Sequence, residues 1–378
     1  MLVLLEDEKM LADSASELLS SVSPVSQQRA LRDESNELGF YPEVWQQFVE
    51  MGWTAIPFAE ELGGLAFSYK GLTAVFEQVG RHLTASPLLS SIALCGSAIE
   101  CCASAEQQNA WLPELIAGEQ RYAFGFDEQM FHDIDHMAIT AEVTSDTVVL
   151  NGQKTMVMDG VGADAYLILV KQKDGFDLYR VPSDAFGLSC ARVNMIDSRN
   201  YANVTLQHVT LPIAAKLNET TLSQETIQAV LDVGRVCLAA ELLGISEQLF
   251  ATTVDYLKTR VQFDVPIGSF QALQHRAAWL FTELELSRSC VLNAAISLDE
   301  FKAGHISAHK LSREVSLALY KVSTMTDKVT TQAIQLHGGI GVTDELDLGL
   351  FLKRARMAQC QLGDRDFHQL RYARTIIK

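Results

Sequence analysis

The chain has 378 residues, which at about 150 residues per domain points to two or three domains. Its composition, 48% hydrophobic and 20% charged, supplies a packed core and excludes a disordered chain. With 30 basic and 47 acidic side chains the formal charge is −17, which excludes a general grip on nucleic acid but allows one small anion held by local Arg and Lys.

No apolar run approaches the roughly 20 residues that span a bilayer. The opening MLVLLEDEKMLADSASELL has acids where a signal peptide needs bases, and reads as an amphipathic helix. Seven Cys is an odd count, and no C-x-x-C spacing occurs, so neither a disulfide framework nor a metal site is expected. Adjacent Cys101 and Cys102 read as core thiols. These features together point to a reducing cytoplasm.

Residues 1–120 read as a helical domain. AVFEQVGRHL and AWLPELIAG carry apolar residues at helical spacing, Pro87 and Pro113 mark helix starts or breaks, and Gly63-Gly64 interrupts as a loop. Residues 121–215 change to a period of two. MAITAEV, TVVLNG, AYLILVK, FDLYRVP, GLSCARV and NVTLQHVTLP read as strands of a β-barrel or sandwich, with Asn151-Gly152 as a turn signal. Residues 216–378 return to long amphipathic helices that supply most of a four-helix bundle. The fold class is therefore α+β.

Two segments carry the most specific patterns. RVQFDVPIGSFQALQHR (260–276) places an always-charged Arg after a helical run and a Gln eleven residues on; QLHGGIGVTDE (335–345) offers two adjacent glycines without a Cβ. With PFAEELGG, LNGQKTMVMDGVGADAYLIL and SRNYANVTLQHVTLP, in this order and at this spacing, they resemble the acyl-CoA dehydrogenase superfamily over nearly the whole chain. The resemblance implies an FAD cofactor, an acyl-CoA substrate, α,β-dehydrogenation and an electron-transferring flavoprotein as acceptor. It implies that Arg260, Phe263 and Gln271 hold the cofactor, and that Gln335, Gly338 and Gly339 reach it from a neighbouring subunit of a homo- or hetero-oligomer. Asp133, Met156 and Met158 fall beside the flavin.

The chain also departs from the family pattern. A T-E-x-x-x-G-S-D motif falls on Phe126, Asp127, Phe131, His132 and Asp133, and a Trp-Ile-Thr becomes Met156-Val157-Met158. The family's usual catalytic Glu falls on Leu362, and an alternative base position on Val261 and Gln262. Asp364 is the nearest carboxylate. In an extended segment it would share a face with Leu362 at ~7 Å and could act as the base; otherwise it caps the last helix. Asp264 replaces the glycine that follows the motif's Phe. Glu241, about 28 Å up the helix from Arg260 by helical rise, is too far to share its chemistry, and His275 and Arg276 read as exposed helix residues. The ending FLKRAR…GDRDFHQLR resembles small subunits of hetero-oligomeric family members acting on long dicarboxylic or steroid-side-chain thioesters. Two other readings stay open: a partner subunit that completes another chain's FAD site without chemistry of its own, and a nitroalkane-oxidase or monooxygenase type of flavoenzyme on the same scaffold.

Overall fold

The computed structural model describes residues 4–376. It opens with α1 (Glu6–Val22), α2 (Val25–Asp33), α3 (Pro42–Glu50), α4 (Tyr69–His82), a π-helical stretch (Leu88–Gly96), α5 (Ser97–Cys102) and α6 (Ala105–Ile116). The strands follow: β1 (Tyr122–Gly125), β2 (Thr140–Val143), β3 (Thr147–Met158), β4 (Ala165–Gln172), β5 (Gly175–Pro182), β6 (Leu188–Arg192) and β7 (Tyr201–Pro212). Then come α7 (Gln224–Thr259), a short hairpin of β8 (Val261–Gln262) and β9 (Val265–Pro266), α8 (Gln271–Lys302), α9 (Ala308–His337), α10 (Leu348–Ala358) and α11 (Arg365–Ile376). Among the described residues no helix is long and apolar enough to cross a membrane.

The chain forms two compact units. One gathers the residues through Ala30, Tyr69–Thr84 and everything from Arg235 on; the other holds Leu31–Ser68 and Ala85–Gly234. The second contains the β-sandwich. β1 runs parallel to β4, which pairs antiparallel with β5; the other sheet is antiparallel in the order β2-β3-β7-β6. Val148, Leu150, Tyr166, Ile168, Val204 and Leu206, drawn from both sheets, share one core. Alternation along the strands puts these residues on the inner faces.

Two expectations in this unit fail for identifiable reasons. Asn151-Gly152 does not reverse the chain but lies inside β3, at a register shift of the β3–β7 ladder. There β7 carries the extra residue: His208 takes φ +53°, and its amide donates to Asn151 Oδ1 at 2.7 Å. A second shift reverses the roles. Met156 of β3 takes φ +55°, and its amide donates to Asn203 Oδ1 at 3.2 Å. Each bulge orphans one amide, and an Asn from the facing strand satisfies it. Pro113, expected at a helix boundary, lies within α6. Its missing N–H leaves only the carbonyl of exposed Asn109 to water, so the helix runs through.

The first unit is the bundle. α8, α10 and α11 pack on α9, and α1 packs on α4. The part of α7 in this unit is buried all round from Arg235 to Glu247, where the sequence suggested an amphipathic helix. Its buried charges are paired: Glu241 receives Arg354 Nε at 2.7 Å and Nη2 at 2.9 Å, and Glu247 receives Arg81 Nε at 3.0 Å and a contact from Arg288. Where α4 crosses α7 the backbones nearly touch. A Cβ on Gly80 would lie 2.1 Å from the Glu241 carbonyl oxygen, and one on Gly244 1.8 Å from that of Glu77.

Candidate functional site

The bundle unit carries the two Gly- and Arg-bearing segments. α7 stops at Thr259, and the chain turns back through β8 and β9 with Phe263 at φ +54° and Asp264 at φ +64°. A two-residue hairpin of this hand needs both central residues left-handed. Asp tolerates that conformation, which accounts for Asp264 in place of glycine, whereas Phe263 holds it at a cost of about 1–3 kcal/mol. Phe263 is nevertheless 86% exposed, edge-on to Phe270 at 6.2 Å.

Arg260 sits at the base of this hairpin. Its amide donates to Tyr256 O and its carbonyl accepts from Ile267, both at 2.8 Å, so its backbone is held on both sides. Its guanidinium is exposed and, among the described residues, makes no hydrogen bond or ion pair. Gln271, likewise exposed and unengaged, opens α8, where the free amides of a long helix favour an anion.

One turn before Arg260, Tyr256 stacks on His337 at 4.2 Å and its hydroxyl donates to the His337 carbonyl at 3.3 Å. The buried His337 ring is fixed by Nδ1 donating to Ala333 O at 2.7 Å. These contacts bring the end of α9 to the end of α7. Gln335, Gly338 and Gly339 are exposed there, and a Cβ on either glycine would meet nothing within 4 Å. Tyr256 is a residue that sequence reasoning missed; only its one-turn spacing from Arg260 hinted at it.

The base positions are apolar or otherwise engaged. Leu362 is 2% exposed with φ +57°, and Gly363 follows at φ +108°, so the segment is a tight left-handed turn rather than extended. Buried Arg235 donates through Nε to the Leu362 carbonyl at 2.9 Å. Leu362 and Asp364 therefore do not share a face. Asp364 is exposed, and its Oδ1 accepts from the Phe367 amide at 2.8 Å, capping α11. It lines an open cleft of about 350 Å³ with Asp327, Arg356, Cys360, Arg365 and Asp366. Val261 is exposed and Gln262 folds onto its own neighbour's carbonyl. Glu241 serves Arg354, and His275 and Arg276 are exposed.

Asp133, Met156 and Met158 lie in the sandwich unit. Met158 is buried, and half-buried Met156 is the bulge residue. The loop joining β1 to β2 is held by three carboxylates. Asp127 accepts from His132 Nδ1 at 3.0 Å and the Asp133 amide at 3.1 Å. Asp133 accepts from the amides of Asp135 and His136 and from His136 Nδ1 at 2.8 Å. Partial burial pushes Asp133 up, but these donors outweigh it and hold the carboxyl below its usual range. Glu128 accepts from the Ala138 amide at 2.5 Å and from Lys154 Nζ at 2.9 Å. Lys154 is fully buried, and burial lowers it to about 8 against the pull of Glu128 and Asp127. Sequence reasoning gave Lys154 and Glu128 no role, because nothing in a β-type run announces which lysine turns inward.

Comparison with known proteins bears directly on this arrangement. The description "Acyl-CoA dehydrogenase, N-terminal domain" matches residues 5–119, and "Acyl-CoA dehydrogenase, C-terminal domain" residues 225–377. The chain is 28% identical to "Probable acyl-CoA dehydrogenase YngJ" of Bacillus subtilis, covering 91% of this chain and 92% of that protein. It is 25% identical to "Caffeyl-CoA reductase-Etf complex subunit CarC" of Acetobacterium woodii, covering 92% and 93%. In fold it matches a chain of the ChsE4-ChsE5 complex from Mycobacterium tuberculosis with a TM-score of 0.88 at 23% identity, covering 99% and 98%. Helical start, sandwich, bundle and both terminal segments thus agree, and the chain belongs to the acyl-CoA dehydrogenase superfamily.

Proposed function

We propose that this protein is a FAD-dependent acyl-CoA dehydrogenase subunit that works within an oligomer. The observation that carries the reading is Arg260, an exposed guanidinium without a partner among the described residues, on a backbone fixed at both sides. A planar, permanently charged fork held in this way suits a diphosphate bidentately. The residues fit FAD at its phosphate end. Arg260 would hold the diphosphate, Gln271 would donate to and accept from cofactor oxygens, and the exposed Phe263 ring would pack against it. The clear space over Gly338 and Gly339, with Gln335 beside it, suits the cofactor of a neighbouring subunit. The resemblance puts Asp133, Met156 and Met158 beside a flavin ring, and of these Asp133 and Met156 keep partly exposed surface in the sandwich unit. When bound, FAD supplies the hydride acceptor. The chain's task is then to orient the thioester, exclude water and hold a proton acceptor at the α carbon.

That last element favours a second reading. Leucine at 362 cannot take a proton, and Asp364 is engaged as a helix cap, so this chain would complete a partner's site rather than run the reaction itself. Exposed Phe263, Phe270, Trp279, Phe281, Leu286 and Val342 give the bundle unit an apolar surface for such a subunit. The relatives named for a ChsE4-ChsE5 complex and a reductase-Etf complex are consistent with a hetero-oligomer, of the small-subunit kind, that passes electrons to an electron-transferring flavoprotein.

The test is the absorbance spectrum of the protein purified alone and with a co-encoded family member, followed by anaerobic mixing with acyl-CoA thioesters. The complex should carry flavin and bleach; the lone chain should bleach ~10²–10⁴-fold more slowly, the usual effect of a missing base. Fast bleaching by the lone chain, lost in Asp364→Asn, would make Asp364 the base and end the silent-subunit reading.

A further inference from the structure

Two stiff pieces of the bundle unit meet at Tyr256. The first is the hairpin that carries Arg260. It folds back on α7: the Ile267 amide donates to the Arg260 carbonyl at 2.8 Å, and a Cβ on Gly268 would lie 2.8 Å from the Leu257 carbonyl oxygen. The Gln274 side chain donates to the Gly268 carbonyl at 2.9 Å, which ties the start of α8 to the same base. The second piece is the turn after α9. Gly338 takes φ +65° and ψ −141°, a backbone shape that side chains disfavour. A Cβ on Gly341 would lie 2.6 Å from the Ile334 carbonyl oxygen and 3.0 Å from the His337 Cβ, so the turn is folded onto the end of α9 and its direction follows His337.

The joint between the two pieces is narrow. Among the described residues, the Tyr256 hydroxyl makes the one side-chain hydrogen bond that links residues 256–271 to residues 335–345. At 3.3 Å it is longer than the roughly 2.5–3.0 Å of an ordinary O–H···O bond. The rings, by contrast, stack at 4.2 Å and 27°, closer than the roughly 4.5–7 Å of ordinary aromatic pairs. The joint therefore bears on the ring faces more than on the hydroxyl. His337 cannot swing aside, because its ring is buried and its Nδ1 donates to the Ala333 carbonyl at 2.7 Å. On the other side the Arg260 amide donates to the Tyr256 carbonyl, so a shift of Tyr256 carries the Arg260 backbone with it.

We propose that Tyr256 is a positioning residue. Through its stack on His337 it holds Arg260 and the Gly338-Gly339 turn as one binding element, so that one side chain sets the contacts to two cofactors. The proposal rests on the FAD reading above, in which Arg260 holds this chain's own FAD and the glycine turn meets that of a neighbouring subunit. Contacts carried on one stiff element have their geometry before the ligand arrives, and binding need not order them. Without the ring the two contacts can move independently, and each binding event must order them anew.

The test measures FAD retained after gel filtration of the chain copurified with its co-encoded family member, together with a melting curve. Tyr256→Leu removes the ring and should lower retention about three- to tenfold in protein that is still folded. Tyr256→Phe keeps the ring and should stay within about twofold of wild type. His337→Leu should match Tyr256→Leu, and the double variant should be no worse than either single one, since both remove the same contact. Should His337→Leu melt early, the two Tyr256 variants decide. Arg260→Ala separates the outcomes. If it sheds FAD while Tyr256→Leu keeps it, the positioning role is overturned and the FAD reading stands. If the wild type holds no FAD, or Arg260→Ala keeps it in full, the FAD reading fails and the proposal with it. Equal loss in Tyr256→Phe and Tyr256→Leu, or loss only in step with melting, also overturns the proposal.

Discussion

The segment around Arg260 and the loop between β1 and β2 both set charged groups beside aromatic and apolar ones, but the first resembles its family motif and the second departs from it. They differ in what their polar atoms do. In the loop, Asp127, Glu128 and Asp133 each collect donors from the loop itself or from Lys154. Around Arg260 the backbone bonds are made and the side-chain bonds are left open. A buried polar group must find its partner within the chain, whereas an exposed one on a fixed backbone can wait for a ligand. The loop therefore reads as architecture, and the Arg260 segment as a receiving surface.

The comparison breaks first at Arg260. Arg260→Ala should weaken FAD retention by about 10- to 150-fold, from a charge-assisted contact of roughly 1.5–3 kcal/mol, with little change in thermal stability. Flavin content after gel filtration, and a melting curve, check both halves. A large loss of stability would mean that the guanidinium serves the fold.

The reverse is expected for Lys154. Burial holds its folded-state value at about 8, below the ordinary 10.5, so the unfolded chain binds that proton more tightly. Its contribution is therefore fully present above about 10.5 and is lost as pH falls through about 8. Relative to Lys154→Met, wild-type stability should rise by on the order of 3 kcal/mol across that window, measured by denaturant unfolding at several pH values. Flavin affinity should track folding alone.

How much of this was legible follows the same division. Helix and strand order could be read because the apolar period changes from about 3.6 to 2 and back. The Arg260 and Gly338-Gly339 segments stand out in the sequence and are bare in the structure, and their part in holding FAD is the proposal made above. The fate of Asp364 could not. Whether residues 362–364 run extended or turn is decided by Arg235, more than a hundred residues earlier, gripping the Leu362 carbonyl. The Asn151-Gly152 pair misled because its turn chemistry is used within a ladder, where the facing strand supplies the extra residue.

Smaller effects sharpen the picture. Asp364→Ala should cost about 1 kcal/mol as a lost cap, seen in the unfolding midpoint, without altering thioester-driven bleaching by the complex. Asn203→Ala should cost about 1 kcal/mol, since it orphans the half-buried Met156 amide. Asn151→Ala should cost less, because the His208 amide it serves is exposed and water can replace it.

The crossing of α4 and α7 carries a consequence for how this sequence can drift. Gly80 rests on the carbonyl three residues before Gly244, and Gly244 on the carbonyl three residues before Gly80, so the two positions share a single gap. An alanine at either must part the helices, straining the neighbouring Glu241–Arg354 and Glu247–Arg81 pairs. Once they are parted, a second alanine enters space already open. The two losses should therefore sum to less than their separate values in a double-mutant cycle. A lineage that gives up one glycine has lost most of the reason to keep the other.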